Sequence, residues 1–165
     1  MNDFEISTDY LSRKDTPLGI VLNTIFDGVY IVNKQRKILF WNKGAEKITG
    51  YLETEVINKS CSENILNHID ENGNKLCGKK ECPLIKSIIS KRNHSAKVYP
   101  LNKSKKRFPT YTNIAPIMDK NRSVIAAIEV FRDITIEENY RILQENFNKI
   151  IKKYVSNQTY DKAFF

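Results

Sequence analysis

The chain has 165 residues, 41% apolar and 10% aromatic, enough for one packed domain with tails and too apolar for wholesale disorder. Lys and Arg number 27 against 19 Asp and Glu, a net charge of +8, yet they are dispersed rather than gathered on one face, which argues against nucleic acid as a partner of this domain. The clearest apolar run, Val124 to Ile128, falls far short of the ~20 residues of a membrane span. Met1-Asn2-Asp3-Phe4-Glu5 is acidic and lacks an apolar signal region, so a cytoplasmic setting is expected.

Residues 1–17 are mixed and polar and are expected to form a loosely held N-terminal arm. Leu18 to Phe26 places apolar residues at helical spacing, and Asp27-Gly28 breaks the pattern. Val29 to Val32 reads as a strand, Asn33 to Arg36 as a polar turn, and Lys37 to Trp41 as the returning strand of a hairpin. Asn42 is placed to cap a short helix, Lys43 to Thr49, which Gly50 ends. Glu53 to Ile57 is a further helical segment. A long polar stretch, Asn58 to Glu81, precedes a helix opened by Pro83, in which Leu84, Ile85, Ile88 and Ile89 share a face.

The second half is rich in strands: about 96–102, 107–117 and 123–133, with the basic run Lys103-Ser104-Lys105-Lys106-Arg107 as a solvated hairpin turn. Two strands, several short helices and three strands with hairpin-length links predict an α+β domain with one antiparallel sheet. From Ile134 onward Ile136, Tyr140, Leu143, Phe147, Ile150 and Tyr154 recur at alternating spacings of four and three, a heptad seam. It predicts a homodimer through a coiled coil, with folding back onto the domain's own sheet as the alternative.

Three motifs in this order resemble the PAS family. Phe26-Asp27-Gly28-Val29-Tyr30-Ile31-Val32-Asn33 resembles its opening hairpin. Ile38-Leu39-Phe40-Trp41-Asn42-Lys43-Gly44-Ala45-Glu46-Lys47-Ile48-Thr49-Gly50-Tyr51 resembles its Asn-and-Gly-Tyr signature. Phe131-Arg132-Asp133-Ile134-Thr135 resembles the D-I-T ending of its last strand. The resemblance spans about residues 18–135, with 136–165 as a C-terminal signalling helix and tail. It implies a five-stranded antiparallel sheet with short helices on one face, followed by a C-terminal amphipathic helix. It also implies a sensory or dimerising role, with Asp133 and Thr135 coupling sheet to exit helix. Helix capping by the same two residues is compatible with that role.

The cysteines are the main departure from a plain member of that family. Cys61, Cys77 and Cys82 are separated by fifteen and then four residues, with His68 between the first two. An odd number of cysteines without a secretion signal argues against a disulfide framework. Thiolates and imidazole are ligands of zinc and of some iron–sulfur centres, so Cys61, Cys77, Cys82 and His68 are candidate metal ligands. A thiol redox switch and inert packing are the alternatives. Cys82, just before Pro83, is expected to be the activated thiol, because a helix N-terminus lowers a thiol pKa. The turn Asn72-Gly73-Asn74 is positioned to bring Cys77 back toward Cys61.

A flavin is disfavoured. Light-sensing LOV members of the family carry a reactive cysteine near the place of Cys61, but their C-R-F-L-Q run is replaced here by Cys61-Ser62-Glu63-Asn64-Ile65, and Thr110 and Phe131 supply no carboxamide for the flavin ring. No P-loop, dinucleotide fingerprint, Ser-His-Asp order or zinc-protease motif is present, so no enzymatic activity is expected. The reading is a cytoplasmic sensor, redox- or ligand-responsive through a zinc or iron–sulfur site. It would relay its signal to an effector whose identity the sequence does not give, transcription regulation being one such output. A cofactor-free dimerisation or interaction module is the alternative.

Overall fold

Strand β1 (Gly28–Asn33) is β-branched and aromatic, and it pairs antiparallel with β2 (Ile38–Trp41) across the Asn33–Arg36 turn. The computed structural model describes residues 7–63 and 65–161. Strands β3 (His94–Val98), β4 (Thr110–Met118) and β5 (Val124–Asp133) complete one antiparallel sheet of spatial order β2-β1-β5-β4-β3. The chain divides at Asp133 into this sheet domain and a second unit containing helix α6 (Thr135–Asp161).

Both faces of the sheet are covered around β1. On one face Tyr30, Val32, Ile38, Trp41, Ile114 and Phe131 form a core with helices α3 (Lys43–Thr49), α4 (Glu53–Val56) and α5 (Pro83–Ser90), all lying between β2 and β3 in sequence. On the other face Val29, Ile31, Phe40 and Ala126 pack with Leu11 of α1 (Thr8–Ser12) and Leu22 of α2 (Pro17–Thr24). The described part of the expected N-terminal arm is therefore ordered. Ser7 caps α1 by accepting the Tyr10 amide, and burial of Leu11 fixes the segment to the sheet. Residues 1–6 of that arm lie outside the described residues.

Asn42 joins these layers. Its Oδ1 accepts the Ala45 amide at 2.7 Å as the α3 cap and the Val29 amide at 2.8 Å. Its Nδ2 donates to the carbonyls of Leu22 and Asp27 at 2.9 and 3.0 Å. One wholly buried amide thus satisfies the end of α2, the start of β1 and the first turn of α3. Gly44 follows because that junction is tight: a Cβ there would lie 2.2 Å from the Asp27 carbonyl oxygen.

Two strands end earlier or start later than the residue pattern predicts. Strand β3 stops at Val98 instead of running to 102, because Tyr99 and Leu101 turn their backbone groups to the cysteine loop: Tyr99 N donates to Ile69 O at 2.9 Å and Leu101 N to Leu66 O at 2.6 Å. Strand β4 starts at Thr110 instead of 107, since Pro109 has no N–H to offer the ladder and Arg107 pairs with Leu101 in an isolated bridge. The basic run between them is a turn, with Lys105 in the left-handed region at φ 60° and its amide on Asn102 O.

Candidate functional site

Residues 68–76 fold as a small hairpin, with Ile69 paired to Lys75. Asp70 Oδ1 accepts the amides of Asn72 and Asn74 at 2.9 and 2.8 Å, and Gly73 takes φ 83°. This turn returns the chain so that Leu76 N reaches His68 O at 2.9 Å, which sets Cys77 directly against His68. The His68 amide donates to Cys77 Sγ at 3.1 Å, and His68 Nδ1 lies 3.6 Å from the same sulfur. Cys61 lies in the same core cluster as Cys77 and Cys82. All three cysteines are free and buried.

Beyond His68 the cluster continues onto the sheet. Register places Glu129 of β5 opposite Tyr30 of β1, so both point into the core. Tyr30 Oη donates to Glu129 Oε2 at 2.5 Å and Thr112 Oγ1 to Oε1 at 2.6 Å. His68 Nε2 stands 4.0 Å from Glu129 Oε1. A cavity of about 10 Å³, the space of one water, lies among Tyr30, Cys61, His68, Cys82, Thr112 and Glu129. At the loop's outer side Arg107 Nη1 donates to the carbonyls of Asn67 and Tyr99, the latter at 2.7 Å, and pins the hairpin.

The electrostatics single out Cys77. The hydrogen bond from Cys61 is the largest influence on it. With His68 added, burial is outweighed and the pKa falls from 9.0 to about 4. Cys61 moves the other way, well above the ordinary thiol range, because it gives its proton to that bond and is buried beside a negative sulfur. For His68, burial is the largest single influence and works downward, but Cys77 and Glu129 together raise it. The favoured arrangement is therefore a Cys77 thiolate held by the His68 amide and ring, with Cys61 as thiol.

Cys82 departs from expectation. It does sit at the N-terminus of α5, but burial dominates and raises its pKa, against the pull of the Ile85 and Leu84 amides. The activated thiol is Cys77, not Cys82. His68 is 7% exposed rather than solvated, because the hairpin turns its ring into the core. Tyr30, Thr112 and Glu129 were not among the residues singled out from sequence. Alternation along β5 carries the available signal, since Glu129 occupies an inward position between Ala127 and Phe131. Among the described residues, no group of three or more His, Cys, Asp or Glu side chains is arranged to hold a metal ion.

Asp133 and Thr135, the residues expected to couple sheet and exit helix, occupy the two ends of a junction. Asp133 closes β5, paired with Thr110, and Thr135 begins α6, whose first turn is closed by Glu138 N on Ile134 O at 2.9 Å. The seam residues Ile136, Tyr140, Leu143, Phe147, Ile150 and Tyr154 are between 54% and 82% exposed, so their apolar surface is available to a partner. No helix among the described residues is long and apolar enough to cross a membrane.

A five-stranded sheet of order 2-1-5-4-3 with short helices over a buried polar cluster defines the α+β class. A family model described as a PAS domain matches residues 27–135, and the chain belongs to the PAS domain family. Among solved structures it is similar to a PAS domain of a Colwellia psychrerythraea protein, at 21% identity and TM-score 0.60, covering 72% of this chain and 94% of that one. It is also similar to the PAS domain of the fruit-fly ELK potassium channel, at 22% identity and TM-score 0.56, covering 73% and 99%. A third likeness is to the light-state dimer of the fungal blue-light photoreceptor Vivid, at 16% identity and TM-score 0.53, covering 66% and 78%. A search of curated proteins found no match.

Proposed function

We propose that this PAS domain is a redox- or ligand-responsive sensor whose input is the Cys61, Cys77 and His68 cluster and whose output is the pairing of α6. The observation that carries the reading is the Cys77 sulfur, which takes the His68 amide at 3.1 Å inside a core that needs no charge for packing. Burying a thiolate and a carboxylate costs stability that apolar residues of similar volume would not. Groups with shifted pKa values cluster where chemistry is done. Glu129 ties the cluster to β5, four residues before Asp133, so a change at Cys77 bears on the strand that leads to the exit helix.

In this reading Asp133 and Thr135 pass the change to α6, and Ile136, Tyr140, Leu143, Phe147, Ile150 and Tyr154 pair with the same seam of a second copy. The heptad spacing supports self-pairing, and Vivid, a likeness in fold, is a light-state dimer. The domain acts in the cytoplasm, where thiols stay reduced, without catalysis or a flavin of its own, and hands its signal to a separate effector.

A second reading has its own support. Cys77 receives an amide, and Cys82 stands at the N-terminus of α5. Such donors also tune metal-bound sulfurs. In that reading Cys61, Cys77, Cys82 and His68 hold zinc or an iron–sulfur cluster. Anaerobic purification with iron, sulfide and zinc quantification, followed by thiol titration, separates the two. Stoichiometric metal selects the second reading. Metal-free protein whose Cys77 is reactive selects the first. Metal-free protein with inert cysteines leaves only a cofactor-free dimerisation module.

A further inference from the structure

Asn72-Gly73 is the one Asn-Gly pair in the sequence. It forms the tip of the hairpin, and both residues are exposed. The Asn72 amide is held by Asp70 Oδ1 at 2.9 Å, but its carboxamide makes no hydrogen bond among the described residues. Asn74 differs, since its Nδ2 donates to Asp70 Oδ2 at 2.9 Å. Gly73 takes φ 83°, and a side chain there would meet nothing within 4 Å, so the backbone on that side is open to solvent. The Gly73 amide is restrained by a 3.1 Å hydrogen bond to Asp70 O, which has to open before its nitrogen can react. It belongs to an exposed loop tip, where such openings concentrate.

We propose that Asn72-Gly73 is a self-modification site, where Asn72 deamidates to aspartate and isoaspartate and so loosens the hairpin that sets Cys77 against His68. The Gly73 amide nitrogen loses its proton to solvent base and attacks Asn72 Cγ. The new N–C bond closes a succinimide ring, the Cγ–Nδ2 bond breaks, and Nδ2 takes up a proton and leaves as ammonia. Water then opens the ring. Cleavage of the bond from the Gly73 nitrogen to Cγ gives aspartate. Cleavage of the bond from that nitrogen to the Asn72 main-chain carbonyl carbon gives isoaspartate, in which the chain runs through Cβ and Cγ. One water enters, one ammonia leaves, and nothing is oxidised or reduced. Glycine favours the ring closure because no Cβ crowds the attacking nitrogen, and asparagine is among the heat-labile residues.

The hairpin depends on this tip. Asp70 Oδ1 accepts the amides of Asn72 and Asn74, Asp70 N donates to Asn74 O at 3.0 Å, and Leu76 N donates to His68 O at 2.9 Å. The His68 amide reaches the Cys77 sulfur, at 3.1 Å, only while that pairing holds. A carboxylate at 72 adds negative charge beside Asp70, and the isoaspartyl link lengthens the turn by one methylene. Both act against the register that pairs Ile69 with Lys75. Water does not restore the amide, so the reaction works on the site as a one-way timer. The chain's Asp-Gly pair, Asp27-Gly28, is protected from the corresponding ring closure. Arg132 Nε and Nη2 hold the Asp27 carboxylate at 3.0 Å each, and the Phe131 ring covers Gly28, where a Cβ would lie 2.1 Å from it.

The test ages the reduced full chain in mildly alkaline buffer at physiological temperature and maps its peptides by mass spectrometry. An isoaspartyl methyltransferase with a labelled methyl donor reports the isoaspartyl fraction. The amide-to-acid mass shift is expected at Asn72 before any other asparagine, mostly as isoaspartate. It is expected to be lost in Asn72→Gln, whose longer side chain closes a ring far more slowly. Hydrogen exchange then compares the aged proteins. Protection across residues 68–77 should fall in the wild type and persist in Asn72→Gln. Asn72→Asp should fall between them, because it adds the charge without lengthening the chain. Deamidation at another asparagine first, or an intact Asn72 after others have reacted, overturns the site. Isoaspartate at 72 with unchanged protection overturns its link to Cys77. Neither readout depends on the redox state or metal content of the cluster, so failure here and failure of the sensor reading are told apart.

Discussion

Cys77 lies buried in the core with its thiol held far below the ordinary range. Three donors, the Cys61 thiol, the His68 amide and the His68 ring, stabilise it more than burial opposes it. The folded pKa of about 4 lies below the ordinary 9.0. The Cys77 contribution to stability is therefore full above the unfolded value and is lost as pH falls toward the folded one. Ultraviolet thiolate absorption should persist in the folded, metal-free protein down to about pH 5 and be missing from Cys77→Ser at neutral pH; a thiolate signal appearing only above the ordinary thiol range would contradict the assignment. Asn42 supports a separate prediction. Asn42→Ala removes a cap and strands several backbone groups in the core, so it should cost about 2–4 kcal/mol in urea unfolding. The polar role of Asn42 was legible in the sequence as a cap, because capping is local. Its contacts to Leu22 and Asp27 were not, since they depend on where α2 and β1 meet.

Elements with a strong local pattern matched expectation closely: β1, the Asn42-capped α3 and the Pro83-opened α5 fall where periodicity and punctuation put them. What the residues did not announce is the cysteine hairpin. Its pairing of Ile69 with Tyr99 takes over the end of β3, a long-range competition with no local signature. The same applies to Cys82, whose place at a helix start was legible while its burial was not. At this scale Glu129 is the link between hairpin and strand. Glu129→Gln keeps the shape but removes the charge facing His68. It should slow Cys77 alkylation by about threefold or more with little change in melting; an unchanged rate would show that β5 does not sense the cluster. Tyr30→Phe, which removes one of the two hydroxyls on that carboxylate, gives an independent check on the same link.

At the scale of the whole molecule, a sheet domain with a buried Cys, His and Glu cluster is followed in the chain by a helix with an exposed heptad seam. Burying apolar side chains contributes about 1.5–3 kcal/mol each at full burial, part of which association offsets. Replacing Leu143 and Phe147 together by Asp should convert a dimer to a monomer in sedimentation while the sheet domain melts as before; a monomeric wild type at high concentration would remove the pairing model.

The central claim is that the state of the Cys61–Cys77–His68 cluster alters α6. Hydrogen exchange across Thr135–Asp161 tests it in the full chain, reduced against oxidised at matched concentration. A change in α6 protection on oxidation that disappears in Cys77→Ser is the predicted result. Identical α6 exchange in both states, with the cluster shown to be oxidised, would contradict it.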